Sequence, residues 1–77
     1  DRFVKIFKES VLSINASGNI IVIKTLSGCG NAAGEAIDTS DFPTIIGSIA
    51  GDNTVFLVID APENVSSLVE QFNQLLK

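Results

Sequence analysis

Two seven-residue runs constrain this chain most: IIVIKTL at 20–26 and TVFLVID at 54–60. Both are apolar and rich in β-branched residues at odd and even positions alike. A strand with one wet face would alternate, so these runs read as strands covered on both sides. Turn signals bound them, SGN at 17–19 before the first and GDNT at 51–54 before the second.

The remaining segments supply partners for these two strands. SVLSINA alternates Leu12, Ile14 and Ala16 against Val11, Ser13 and Asn15, the pattern of a half-buried strand. With 20–26 and the short turn it makes a hairpin. TIIGSIAG and TVFLVID make a second hairpin, closed by GDNT. Between the hairpins the period changes. Cys29, Ala32, Ala33, Ala36 and Ile37 fall on one helical stripe of small residues, suited to lying close on a sheet. Asn31 and Asp38 are two turns apart and share the opposite side, with Glu35 nearby. SDFP at 40–43 ends that helix. A second helix opens at Pro62 and Glu63, both favourable in a first turn, and carries the stripe Val65, Leu68, Val69, Phe72 and Leu76. DRFVKIFKE has no settled period. It reads as the remnant of an interdomain linker over residues 1–8, or as a short edge segment, ahead of a domain at 9–77.

The expected class is α+β, in the order ββαββα: a four-stranded antiparallel sheet with two helices on one face. That leaves the other face bare, although Ile20 to Ile23 and Val55 to Ile59 carry apolar residues of both parities. A second copy of the chain is the natural cover. The totals agree. At 77 residues a single core is marginal, yet 45% of the residues are apolar. Cys29 is the only cysteine and there is no histidine, so an internal disulfide and Cys/His metal ligation are both excluded. The lone cysteine suggests a reducing, cytoplasmic setting. No apolar run approaches the roughly 20 residues needed to span a bilayer. A net charge of −4 argues against this segment gripping nucleic acid by itself. The chain begins with Asp1, which suggests a piece of a longer protein.

Catalytic motifs are weak. Gly28, Gly30 and Gly34 are spaced one residue too long for a dinucleotide fingerprint, and close helix–sheet packing explains them better. Cys29 and the serines have no histidine to activate them, and Cys29 reads as a buried structural residue. Two N-x-S triplets, at Asn15 and Asn64, match a glycosylation acceptor but carry little weight in a cytoplasmic chain. The turn GDNT remains, with the small residues Gly47, Ser48, Ala50 and Gly51 before it. Hairpin geometry accounts for such a turn. The small residues before it and the polar helix face of Asn31 and Asp38 raise a polar ligand site as the alternative.

GSIAGDNTVFLVI resembles the G-T-[IV]-A-G-D-D-T motif of the C-terminal domain of bacterial arginine repressors. VIKTLSGCGNAAGEAID is similar to that family's T-x-P-G strand end and the following helix ending in Leu-Asp. DFPTIIGSIAG is similar to its W-P-E-I-[LV]-G-T-[IV]-A-G connection. The likeness covers about residues 9–76. It implies a hexamer of two stacked trimers, formed through the sheet side and the hairpin tips. It also implies an amino-terminal winged-helix domain for operator DNA, absent from this chain, and L-arginine as corepressor between the trimers. Matched residue by residue, the ligand-binding set is Asn31, Asp38, Ser48, Ala50, Asp52 and Asn53. No cofactor or metal is implied. The guanidinium is expected at Asp52 and Asn53, and the ligand's α-carboxylate and α-ammonium at Asn31 and Asp38.

Three positions depart from the family pattern. Ser27 stands for the usual Pro, Ser48 for the usual Thr, and Asn53 for the second Asp. Asn53 keeps an acceptor oxygen but loses a charge. The expectation is a weakened arginine response and a hexamer less reliant on ligand, with a paralogous subunit as a candidate partner. The alternative is a purely structural assembly domain that has lost arginine sensing.

Overall fold

The structure is a computed structural model that describes residues 2–77. It runs α1 (Arg2–Ser10), β1 (Val11–Ser17), β2 (Ile20–Thr25), α2 (Gly30–Asp38), β3 (Ile45–Ala50), β4 (Thr54–Ile59), a 3-10 turn (Pro62–Asn64) and α3 (Val65–Leu76). The four strands form one antiparallel sheet in the order β1-β2-β4-β3. The two apolar runs are therefore the central pair, and each hairpin contributes one central and one edge strand.

Register decides which side chains share a face. Ile21 lies opposite Leu57, and Ile23 opposite Val55. With Ile59 they are fully buried beneath Ala33 and Ile37 of α2 and Val65, Leu68 and Phe72 of α3. The other parity points away from the helices. Val22 lies opposite Phe56, Ile20 opposite Val58, and Ile49 of β3 opposite Phe56. On this open face Ile49 is 73% exposed and Phe56 46% exposed. Both edge strands carry an irregularity near their start, between Val11 and Ser13 and between Ile45 and Gly47. The extra residue of each, Leu12 or Ile46, turns outward and is mostly exposed.

A third helix distinguishes the fold from the ββαββα expectation. Arg2–Ser10 is helical, taking in most of the segment expected as linker or edge and the Ser10 expected to open the first strand; Asp1 lies outside the described residues. Phe3 and Phe7 sit four apart on one helix face. Phe7 is fully buried, with its ring 5.1 Å from Phe72 of α3 and 5.3 Å from Phe3. Phe42, in the α2–β3 connection, completes the cluster at 5.4 Å from Phe3 and 5.3 Å from Phe72. Charged residues on the other face of this short helix mask the period. The partners that make it a helix lie about 35 and 65 residues away in the chain.

Candidate functional site

The small residues before the β3–β4 turn do make room, and α2 fills it. A Cβ at Gly30 would run into the Gly51 carbonyl oxygen, and one at Gly34 would meet the Ala50 Cβ at 3.0 Å. Four residues later Asp38 accepts a hydrogen bond from Ser48 Oγ at 2.6 Å. Positions 30, 34 and 38 of the helix thus run along positions 52, 50 and 48 of the strand and turn. The steps match because four helical residues rise about 6 Å and two strand residues about 6.7 Å. This seam lies at the sheet's β3 edge, on the helix-covered face.

Backbone bonds fix the turn end of the seam. Gly28, at φ +83°, swings the chain into α2. The Gly30 N–H, an unpaired donor of the helix's first turn, donates to the Asp52 carbonyl at 2.8 Å. The Thr25 N–H donates to the Asn53 carbonyl at 2.8 Å, and the Gly51 N–H to the Thr54 carbonyl at 2.8 Å. Both turn side chains are then directed. Asp52 Oδ2 accepts from Ser27 Oγ at 3.2 Å, and Asn53 Oδ1 accepts from Thr54 Oγ1 at 3.0 Å. Asp52 and Asn53 are exposed, as is Asn31 in the first turn of α2.

Asp38 marks the other end. It closes α2, where the helix dipole disfavours a carboxylate and favours a cation, and no basic residue lies in that last turn. The last carbonyls are occupied by Thr39 and Ser40, whose hydroxyls donate to Glu35 and Ala36. Beside Asp38 and Ser48 is a surface depression of about 440 Å3, lined also by Asp41, Phe42 and Ile45.

Of the residues singled out from sequence, Asp38 and Ser48 are bonded to each other, and Ala50 lies between them and the turn. Asp52 and Asn53 cap the seam, with Asn31 next to Gly30 at the same end. Ser27, noted from sequence only as a departure from the family pattern, and Asp41 were not in the expected ligand-binding set. Ser27 is 25 residues from its carboxylate, and Asp41 sits in a connection without period. Cys29 is half-buried at the N-cap of α2 rather than within the core. The spacing of Gly30, Gly34 and Asp38 against Ser48, Ala50 and Asp52 is the signal that could have found the seam. In chemical terms the seam presents carboxylate, hydroxyl and carboxamide oxygens. It suits a small ligand with cationic, multiply donating ends.

Residues 7–74 match the family model described as arginine repressor, C-terminal domain. The chain is 54% identical to the arginine repressor of Alkaliphilus oremlandii over 77 residues, all of this chain and 52% of the relative. It is 48% identical to that of a Thermoanaerobacter species, again over its full length and 51% of the relative. Against the arginine repressor of Clostridium tetani the identity is 43%, over the whole chain and 50% of the relative. The chain therefore spans about half the length of the curated relatives it matches.

Proposed function

Because the chain belongs to the family of arginine repressor C-terminal domains, we propose that it is the L-arginine-sensing and oligomerisation domain of a regulator of arginine metabolism. The family is one of transcriptional regulators, not of enzymes. In this reading residues 9–77 are the sensing body. The leading segment 1–8 faces a winged-helix DNA-binding domain in the part of the protein that this chain does not span, and its helical part is packed onto the sensing body through Phe7. Operator contact belongs to that domain, consistent with a net charge of −4 here. The protein works in the cytoplasm, and no described helix is long and apolar enough to cross a membrane.

The helix–strand seam carries the reading. Asp38 and Asp52 stand at its two ends with no basic side chain from α2, β3 or the turn to neutralise them. An extended arginine carries a guanidinium at one end and an α-ammonium beside its α-carboxylate at the other, so each acid of the seam finds a cationic group. Its guanidinium meets Asp52 and Asn53, with Ser27 orienting Asp52, and its α-ammonium meets Asp38 and Ser48. Asn31 and Asp38 are seven helical residues apart, about 10 Å along the axis. Two polar side chains and a hydrogen bond of about 3 Å at each end cover that distance, so the α-carboxylate and α-ammonium of one ligand can meet Asn31 and Asp38, in keeping with a site between trimers. Facing acidic turns repel, and a bound cation relieves that repulsion, which couples ligand to assembly.

The test is sedimentation of the 77-residue chain with and without L-arginine, alongside calorimetric titration. The expected result is a trimer–hexamer equilibrium displaced toward hexamer by arginine, with heat of binding. An assembly of constant mass with no binding heat favours the structural-module reading. The open apolar face, which can hold copies together without ligand, is the observation behind that second reading.

A further inference from the structure

Lys24 is the one basic residue between Lys8 and Lys77. Pairing of β2 with β4 sets it opposite Thr54, on the sheet face away from the helices. Its Nζ donates to Thr54 Oγ1 at 3.0 Å, and that hydroxyl donates to Asn53 Oδ1 at 3.0 Å. The next residue, Thr25, donates its N–H to the Asn53 carbonyl. Strand register and a backbone bond thus hold the ammonium at the root of the turn that carries Asp52 and Asn53.

We propose that Lys24 is a built-in counter-cation of this turn, standing in for part of the charge that a bound ligand brings. The proposal rests on the arginine reading of the seam. Residues 51–54 carry one charge, the −1 of Asp52, and the +1 of Lys24 brings the sum to 0. A turn compensated in this way repels its facing copy less, so ligand-free assembly is favoured. The same ammonium disfavours an incoming guanidinium and lowers arginine affinity. Lys24 acts here as a positioning and charge-setting residue, through Thr54 and Asn53. Asp38, at the far end of the seam, keeps its carboxylate for the ligand.

Lys24→Gln and Lys24→Arg test this in the 77-residue chain. Without arginine, Lys24→Gln is expected to raise the concentration for half-assembly about twofold to fivefold, the scale of one exposed charge pair. The difference should vanish near about 1 M salt, where the Debye length is about 3 Å. A packing role for the lysine stem would not depend on salt in this way. Lys24→Arg should behave as the unsubstituted chain. In calorimetry Lys24→Gln should bind arginine about twofold to fivefold more tightly. Ligand-free assembly unchanged by Lys24→Gln overturns the proposal, whether or not arginine binds. Absence of binding heat in the unsubstituted chain overturns the arginine reading instead.

Discussion

Asn53 is the residue at which charge and geometry separate. Its backbone carbonyl holds Thr25 and its side-chain oxygen accepts from Thr54. An Asp fits the same two bonds, so the carboxamide changes the charge of the turn and not its shape. A hydrogen bond to a charged group contributes about 1.5–3 kcal/mol and a neutral one about 1. Asn53→Asp should therefore tighten arginine binding about 2- to 30-fold, measured by calorimetry. It should also make the ligand-free assembly weaker, because facing turns regain a charge. Equal affinities before and after the substitution would defeat the charge argument.

At the scale of elements, α2 depends on its partner strand for both position and capping. Its first-turn donor is satisfied by the Asp52 carbonyl rather than by a side chain at Cys29. The glycines of the seam set how closely helix and turn approach. In an ordinary helix position Gly→Ala stabilises by roughly 0.5–1 kcal/mol. At Gly30 the sign should reverse, since the new methyl meets backbone that cannot yield without moving the turn. Gly30→Ala is expected to cost about 1–3 kcal/mol, read from urea unfolding, and to weaken arginine binding through displaced Asp52 and Asn53. A variant as stable as the parent would show that the seam is loosely held. Much of this arrangement was legible from residue types. Gly28, Gly30 and Gly34 announced close helix–sheet packing, and the turn GDNT announced its own end. The small residues at 48, 50 and 51, by contrast, read as open room and not as the place of α2. The hydroxyl of Ser27 reaching Asp52 was not legible, because nothing local relates residues 25 positions apart. Helix α1 was missed for a similar reason: Phe3 and Phe7 acquire their meaning from Phe42 and Phe72.

For the molecule as a whole, the open sheet face is the feature a single copy leaves unresolved. Ile20, Val22, Ile49, Phe56 and Val58 lie together there by register, with no helix over them. Covering this face by another copy removes apolar area from water at about 25 cal/mol per Å2. Phe56→Glu should abolish assembly while leaving the helix-covered core intact, since Val55 and Leu57 keep their burial. Sedimentation should report a monomer and circular dichroism a native spectrum. Assembly undiminished by that substitution would move the interface elsewhere on the surface.

By itself the sequence determined the four strands, the helices α2 and α3, the two hairpins, the bare apolar face and the polar character of the second turn. These follow from local periodicity and residue type, which act over a few positions. Only the tertiary structure decided which strands are central and how α1 completes the aromatic cluster. It alone aligned α2 with β3, so that Asp38 meets Ser48 and Lys24 reaches the root of the turn. Those outcomes depend on strand register and helix packing. Such pairings are chosen by the fit of whole surfaces, and no short window of sequence contains both partners.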